Sequence, residues 1–388
     1  MSELMQIDKQ YVAGTYNRFP VQIVSGKGSL VYDENGKEYI DMGSGIGVTG
    51  FGIADEEWAQ AVVSQLAKVQ HMSNLYYTEP CALLAQELCT RTGMKKVFFA
   101  NSGAEANECL IKVARKYAAD KKGAEYSTIV TLKNSFHGRT LTTLSATGQE
   151  HYHELFQPLT PGFVHGDAGD LEGVCKLAKE EKAAAILIEC VQGEGGVIAM
   201  EQEFVKGLAN FCKEEDILLM VDEVQTGNGR TGQLYAYMNY GVQPDAVSTA
   251  KGLGGGLPLG AALLGEKVES VLGFGDHGST FGGNPVCCAG ALSILKRIDD
   301  KLLAEVREKA AFIREQLTGA KGITGITGMG LMVGIKTEKP AGELVRALNE
   351  KGVLCLTAKD KVRLLPALNI PMDVLARAID AIKEVCAE

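Results

Sequence analysis

The sequence contains no block of lysine and arginine, no Cys-x-x-Cys pair, no apolar run long enough to cross a bilayer, no internal repeat and no low-complexity tract. Each absence removes a class of protein. Asp and Glu (48) outnumber Lys and Arg (39), for a net charge of −9, so the chain is a poor match for a phosphate backbone and no nucleic-acid role is expected. The most apolar runs, 183–188 and 217–221, fall far short of the ~20 residues that span a membrane. The opening MSELMQIDKQ has neither the basic nor the apolar region of a secretory signal, which points to a cytoplasmic location. Ten cysteines lie scattered in apolar segments and read as reduced, mostly buried thiols. No metal is expected: His151-Tyr-His153 has no carboxylate or third ligand at a supporting spacing and reads as a surface pair.

What the chain has in excess is glycine, 46 of 388 residues, against a usual ~7%. The glycines cluster instead of repeating, which suits loops that hold a ligand. With 46% hydrophobic and 22% charged residues the composition is that of a globular protein, and the length exceeds the ~250–300 residues at which one core stops growing. One large domain and one smaller one are expected.

Apolar strands alternate with amphipathic helices over most of the chain. A hairpin is predicted over 26–42 and a helix from Asp55, its cap, toward Val69. Strands are predicted at 97–100, 128–132, 185–191, 217–221, 246–249 and 261–264. The helix after 103 carries Ala106, Leu110, Val113, Ala114 and Tyr117 on one face, and others cover 171–182 and 203–214. Strands buried on both sides and separated by helices imply a mostly parallel sheet covered on each face. One long helical pattern follows Asn284-Pro285 as far as Leu317, and strand–helix units over 330–384 close the chain. The domains are set at 45–290 for the large one, with 291–388 and 1–44 forming the smaller α+β part.

The unusual residues fall just after the buried strands: "NSGAEANE" after VFFA, "FHGRT" after IVTL, "QGEGG" after ILIECV, "DEVQTGNGRTG" after ILLMV and "AKGLGGG" after AVST. Ligands of open parallel sheets bind at that edge. Ser102, Gly103 and Ala104 open a helix whose N–H groups suit a phosphate. Phe136 offers a flat face and Arg139 a planar fork for a carboxylate. Asp222, after an apolar run, needs either a structural salt bridge or a protonated heterocyclic nitrogen. Lys251 stands in a run of small residues, either as a solvated turn lysine or as an amine beside a flat cofactor. A phosphate nest, a stacking ring, an acid and an amine together are what pyridoxal 5′-phosphate requires. A dinucleotide alternative, Gly45-Ile-Gly47-Val-Thr-Gly50, lacks the acidic residue ~20 positions on.

From "YNRFPVQIVSGKGSLVYDENGKEYID" through "SNLYYTEP", "NSGAEANE", "FHGRTLTTLSATGQ", "QGEGG", "DEVQTGNGRTG", "AKGLGGGLPLGA" and "GSTFGGNPV" to "VRLLPAL", the sequence resembles the class III, fold-type I pyridoxal-phosphate aminotransferases. "SNLYYTEP" and "LSATGQ" favour the acetylornithine branch over the ornithine one. The resemblance implies the fold-type I architecture, pyridoxal 5′-phosphate as cofactor, an amine donor and 2-oxoglutarate as substrates, and a homodimer with shared active sites. It makes Lys251 the lysine that bonds the cofactor aldehyde, Asp222 the partner of the ring nitrogen, and Gln225 the neighbour of the ring hydroxyl. Gly103 and Ala104, with Ser102 beside them, become the phosphate loop, Thr280 a phosphate contact from the other subunit, and Phe136 the stacking ring. Arg139, Ser279 and Tyr16 are implied on the substrate side, and Glu194 with Arg363 as a pair that opens for a second carboxylate. One departure stands at 50–58: "GFGIADEEW" replaces the family's Gly-His-x-His-Pro stretch near the expected substrate entrance. An aminotransferase for succinylornithine, ornithine or 4-aminobutyrate is the alternative within the class, and a catalytically silent cofactor-binding protein the alternative outside it.

Overall fold

The computed structural model describes residues 2–388. Its centre is a seven-stranded sheet of β1 (Lys96–Ala100), β2 (Thr128–Leu132), β3 (Phe163–Gly166), β4 (Ala183–Ile188), β5 (Leu218–Asp222), β6 (Ala246–Thr249) and β7 (Gly260–Leu264). The spatial order is β1-β7-β6-β5-β4-β2-β3. Pairing is parallel from β6 through β5, β4 and β2 to β3, as the alternation of strands and helices implied. β4 and β5 are buried at every position, which is why they read as unbroken apolar runs and not as alternating ones.

Three features differ from the sequence reading. β7 runs antiparallel to both neighbours. Only residues 250–259 connect it to β6, with no crossover helix, and a parallel return needs a dozen residues or more. β3, an edge strand in which only Gly166 is fully buried, carried too weak a pattern to be predicted. The helical pattern after Asn284 is two helices, Pro285–Arg297 and Asp300–Leu317. Asp299 starts the second by accepting the Leu302 N–H at 2.8 Å, a cap that interrupts an otherwise continuous apolar face.

Among the helices, α1 is Glu56–Leu66, α2 is Gly103–Lys121 and α3 is Pro285–Arg297. α2 buries the predicted face of Ala106, Leu110, Val113, Ala114 and Tyr117 against Ala185, Ala246 and Ala262 of the sheet. Small residues there let the helix axis approach closely, so its N-terminus is carried to the sheet edge. The N-terminal hairpin joins the C-terminal part of the chain: Glu38–Asp41 pairs in parallel with Val353–Leu354, and Arg377 reaches Glu38 at 2.8 Å. Among the described residues no helix is long and apolar enough to cross a membrane.

Segment 50–58 is fixed by its own chemistry. Asp55 accepts the Trp58 N–H at 2.9 Å and caps α1, and Arg297 of α3 grips both its oxygens at 2.8 and 2.9 Å. The Arg297 guanidinium also lies 4.1 Å from the centre of the Phe51 ring. Burial raises the Asp55 carboxyl, but the hydrogen bonds from Arg297 and Trp58 outweigh it and hold the group below the ordinary range. Asp55→Ala removes a cap and a charge-assisted fork together, and is expected to cost about 2–3 kcal/mol. The shift in urea midpoint measures it; a shift within experimental error would mean that neither contact contributes.

Candidate active site

At the carboxyl edge of the parallel strands lies a cavity of about 490 Å³ whose lining includes Ser102, Gly103, Ala104, Phe136, Arg139, Asp222, Gln225 and Lys251. Four of the five loops singled out in the sequence therefore meet at one place, and none of residues 192–196 lines the cavity. Lys251 has a backbone φ of +46°, a conformation that costs a non-glycine residue energy and persists where its surroundings over-determine it. The glycines after it serve close packing. A Cβ on Gly255, φ +62°, would stand 2.0 Å from the Ile294 Cδ1, and one on Gly260 would stand 2.2 Å from the Ser102 carbonyl oxygen. The bare backbone around Lys251 thus lets α3 and the α2 entry loop close on it, and the reading as a solvated turn falls away. Burial pushes the Lys251 amine below the ordinary lysine range, against the opposing pull of Glu194 and Asp222.

Of the neighbouring acids 222 and 223, only Asp222 faces the cavity. Glu223 points the other way, into the core, where it accepts from the Tyr237 N–H at 2.8 Å and the Thr226 hydroxyl at 2.5 Å. Asp222 has no salt bridge to lysine or arginine. Its Oδ2 accepts from His137 Nδ1 at 2.8 Å and Asn107 Nδ2 at 2.7 Å, and its Oδ1 from the Val224 N–H at 3.0 Å. His137 and Asn107 were not picked out from the sequence. The histidine stood inside the quoted "FHGRT", and Asn107 sits one turn into α2 on its buried face. Glu189 was missed as well, although it follows an apolar run just as Asp222 does. It lines the cavity and accepts the Phe136 N–H at 3.0 Å. Burial, with Asp222 and Glu194 nearby, raises its carboxyl well above the usual range.

At the start of α2 the Ser102 hydroxyl accepts the Glu105 N–H at 3.2 Å, and the Ser102 carbonyl takes that of Ala106 at 3.1 Å. The Gly103 and Ala104 N–H groups have no partner among the described residues and border the cavity. Two free donors at the positive end of a 19-residue helix suit a phosphate. Behind Gln225, Arg363 Nη1 meets Glu194 Oε1 at 2.5 Å and Gln225 Oε1 at 3.2 Å. Burial raises the Glu194 carboxyl, and Arg363 reverses that to a net lowering. The buried Arg363 Nε has no partner.

Not every expected residue gathers here. Ser279 lies in another cavity of about 470 Å³ beside Tyr77, Cys81 and His277, where it accepts from Asn101 Nδ2 at 3.2 Å. Thr280 lines a third, with His71 and Asn74. Tyr16 is exposed, its ring 5.5 Å from the Arg18 guanidinium. Segment 50–58 packs beside Gly255 and Gly256 around a separate cavity of about 130 Å³, and from 44–58 only Val48 lines the cavity of Lys251. The Gly45–Gly50 stretch makes a left-handed turn, with Ser44, Gly45, Ile46 and Gly47 all at positive φ, and the next helix starts only at Glu56, whereas a dinucleotide loop runs straight into its helix. His153 is half-buried and donates from Nε2 to the Leu144 carbonyl at 2.8 Å, so of the 151/153 pair only His151 is on the surface.

An α/β fold with a lysine, an aspartate and a helix N-terminus converging at the sheet edge defines a pyridoxal-phosphate type of site, and the chain belongs to the class III aminotransferases: that family, described as "Aminotransferase class-III", matches residues 11–386. Within it the chain is similar to proteins named acetylornithine aminotransferase. That of Haemophilus ducreyi is 47% identical, over 100% of this chain and 99% of the relative. That of Aquifex aeolicus is 45% identical, over 97% of this chain and 99% of the relative. Among solved structures, ornithine aminotransferase of Toxoplasma gondii superposes with a TM-score of 0.94 at 31% identity, covering 99% of this chain and 94% of the other. A second structure of that enzyme is described as having partial occupancy of PLP at its active site.

Proposed function

We propose that the chain transfers the terminal amine of N2-acetylornithine to 2-oxoglutarate, giving N-acetylglutamate 5-semialdehyde and glutamate in arginine biosynthesis. The carrying observation is that the site has two arginines in different states: Arg139 free at the rim and Arg363 held by Glu194. The names of the full-length relatives support the acetylated donor.

The residues present fit pyridoxal 5′-phosphate: Gly103 and Ala104 offer free N–H groups for its phosphate, Phe136 a face for its ring, Asp222 an acceptor for its nitrogen and Lys251 an amine for its aldehyde. When bound, the cofactor supplies an aldehyde that bonds amines and a ring that draws electrons from the carbon beside the nitrogen. Lys251 Nζ would bond the aldehyde in the resting enzyme and, once free, would hold and move the proton at the reacting carbon of the donor. Burial lowers the pKa of this amine from the ordinary lysine range, which favours the free amine relative to a solvated lysine. Asp222, backed by His137 and Asn107, keeps the ring nitrogen protonated. Arg139 holds the distal carboxylate. Glu194 masks Arg363 while the donor, with no carboxylate next to its reacting amine, is bound; 2-oxoglutarate then draws Arg363 away from Glu194.

We infer that two copies share their sites. Ser279 and Thr280 lie off the cavity of their own chain, and Leu75 (88% exposed), Tyr77 and Phe274 (both fully exposed) offer an apolar surface unusual for a monomer. We place the domain divisions near residue 44 and at the break by Ile298, since α3 runs unbroken across position 290. A cytoplasmic location suits ten cysteines without a disulfide.

A donor panel tests the substrate. Mixed with N-acetylornithine, N-succinylornithine, ornithine or 4-aminobutyrate, the holoenzyme is expected to lose its visible absorbance with the highest kcat/KM for N-acetylornithine. A tenfold preference for any of the others would reassign it.

A further inference from the structure

The place of the stretch His151-Tyr152-His153 in the fold gives it a task. Arg139 stands exposed at the rim of the Lys251 cavity, and among the described residues no carboxylate or carbonyl ties it down. Its guanidinium lies instead between two rings, 4.3 Å from the centre of Tyr152 and 5.3 Å from that of Phe136. The rings meet edge to face at 5.9 Å and 72°. A free arginine samples many rotamers and must surrender them when a carboxylate arrives. Stacking restricts those rotamers in advance, which is pre-organisation.

Tyr152 is itself held. It ends a short turn, Glu150–Tyr152, and its N–H donates to the Gln149 carbonyl at 3.1 Å. The His151 ring covers it at 3.9 Å. His153 ties the far side of the turn to the carbonyl of Leu144, in the helix Leu141–Ala146. That helix begins two residues after Arg139, so ring and guanidinium are mounted on one piece of structure. Phe136 is committed to the cavity wall, with its N–H on Glu189, which leaves Tyr152 as the ring that steers.

We propose that Tyr152 is a positioning residue that aims the Arg139 fork at the distal carboxylate of the substrate. The proposal rests on the reading of Arg139 as the carboxylate anchor.

Half-reaction kinetics with N-acetylornithine and with n-pentylamine, a terminal amine with no carboxylate, test it in the holoenzyme. Tyr152→Leu is expected to raise the KM for N-acetylornithine about 2- to 30-fold, the range of a cation–π contact from exposed to desolvated. It should leave kcat nearly unchanged and pentylamine untouched. Tyr152→Phe, which keeps the ring face, should restore the wild-type KM. With Arg139→Ala in place, Tyr152→Leu should add nothing. Equal slowing of both amines, a Phe variant as damaged as the Leu variant, or an undiminished effect in the Arg139→Ala background would each overturn the proposal. If Arg139→Ala leaves the preference for the carboxylated donor intact, the reading of Arg139 fails and takes Tyr152 with it. If Arg139→Ala abolishes that preference and Tyr152→Leu does not alter it, only the proposal for Tyr152 falls.

Discussion

Lys251→Ala is expected to lower turnover by about 10⁴-fold, the upper range for loss of a positioned acid–base group, while the folded chain still takes up cofactor. Among the described residues Lys251 is the one primary amine lining the cavity. Nothing else at that place can bond the aldehyde and then carry the proton. The other groups proposed to hold the cofactor, the free N–H groups of Gly103 and Ala104, the Phe136 face and Asp222, do not involve the lysine, so binding should survive. Stability should survive as well. The φ of +46° strains alanine as it strains lysine, and the removed amine is one whose burial already disfavours its charge. Three measurements check this: glutamate production, cofactor content after dialysis, and peptide mapping after borohydride reduction. Reduction should tag position 251 in the wild type and no position in the variant. A tag elsewhere, or turnover within tenfold of wild type, would remove Lys251 from the chemistry.

The candidate reactive residues stood out in the sequence because each lies at or just past the end of a buried strand. Apolar runs ending in Asp222 or opening into Lys251 are signals a single sequence can carry, since an acid or amine placed there has to be partnered. Glu189 gave the same signal at the end of Ala183–Ile188 and was absorbed into the strand. The support for Asp222 was less accessible. His137 and Asn107 reach it across separations of 85 and 115 residues, and no periodicity encodes such a meeting. The parallel core of the sheet followed from strand–helix alternation, yet the reversal of β7 depended on the shortness of its connection, and the break at Asp299 on one capping side chain. Ser279, Thr280 and Tyr16 had only a family resemblance behind them, and within one chain they stay away from Lys251.

Asp222→Asn is expected to cost roughly 10²–10³-fold in kcat, the scale on which a single preorganised electrostatic partner acts. The isostere keeps the side chain's shape and one acceptor oxygen and removes the charge. In the wild type three donors converge on Asp222, from His137, Asn107 and the Val224 N–H, and the group has no lysine or arginine partner. It is therefore held by hydrogen bonds and not by an ion pair with lysine or arginine, and the carboxyl group is left to meet whatever nitrogen lies on the cavity side. Asparagine cannot keep a ring nitrogen protonated, so proton removal at the donor carbon should become the slow step, and deuterium at that carbon should give a larger kinetic isotope effect in the variant. Asp222→Ala should show the same kinetic loss and a further instability of about 1–3 kcal/mol, because it strands buried donors that asparagine can still partly satisfy. The comparison separates two roles. If the asparagine variant retained kcat within tenfold and only the alanine variant failed, Asp222 would be a structural acceptor for His137 and Asn107, and the electron demand of the reaction would have to be met without it.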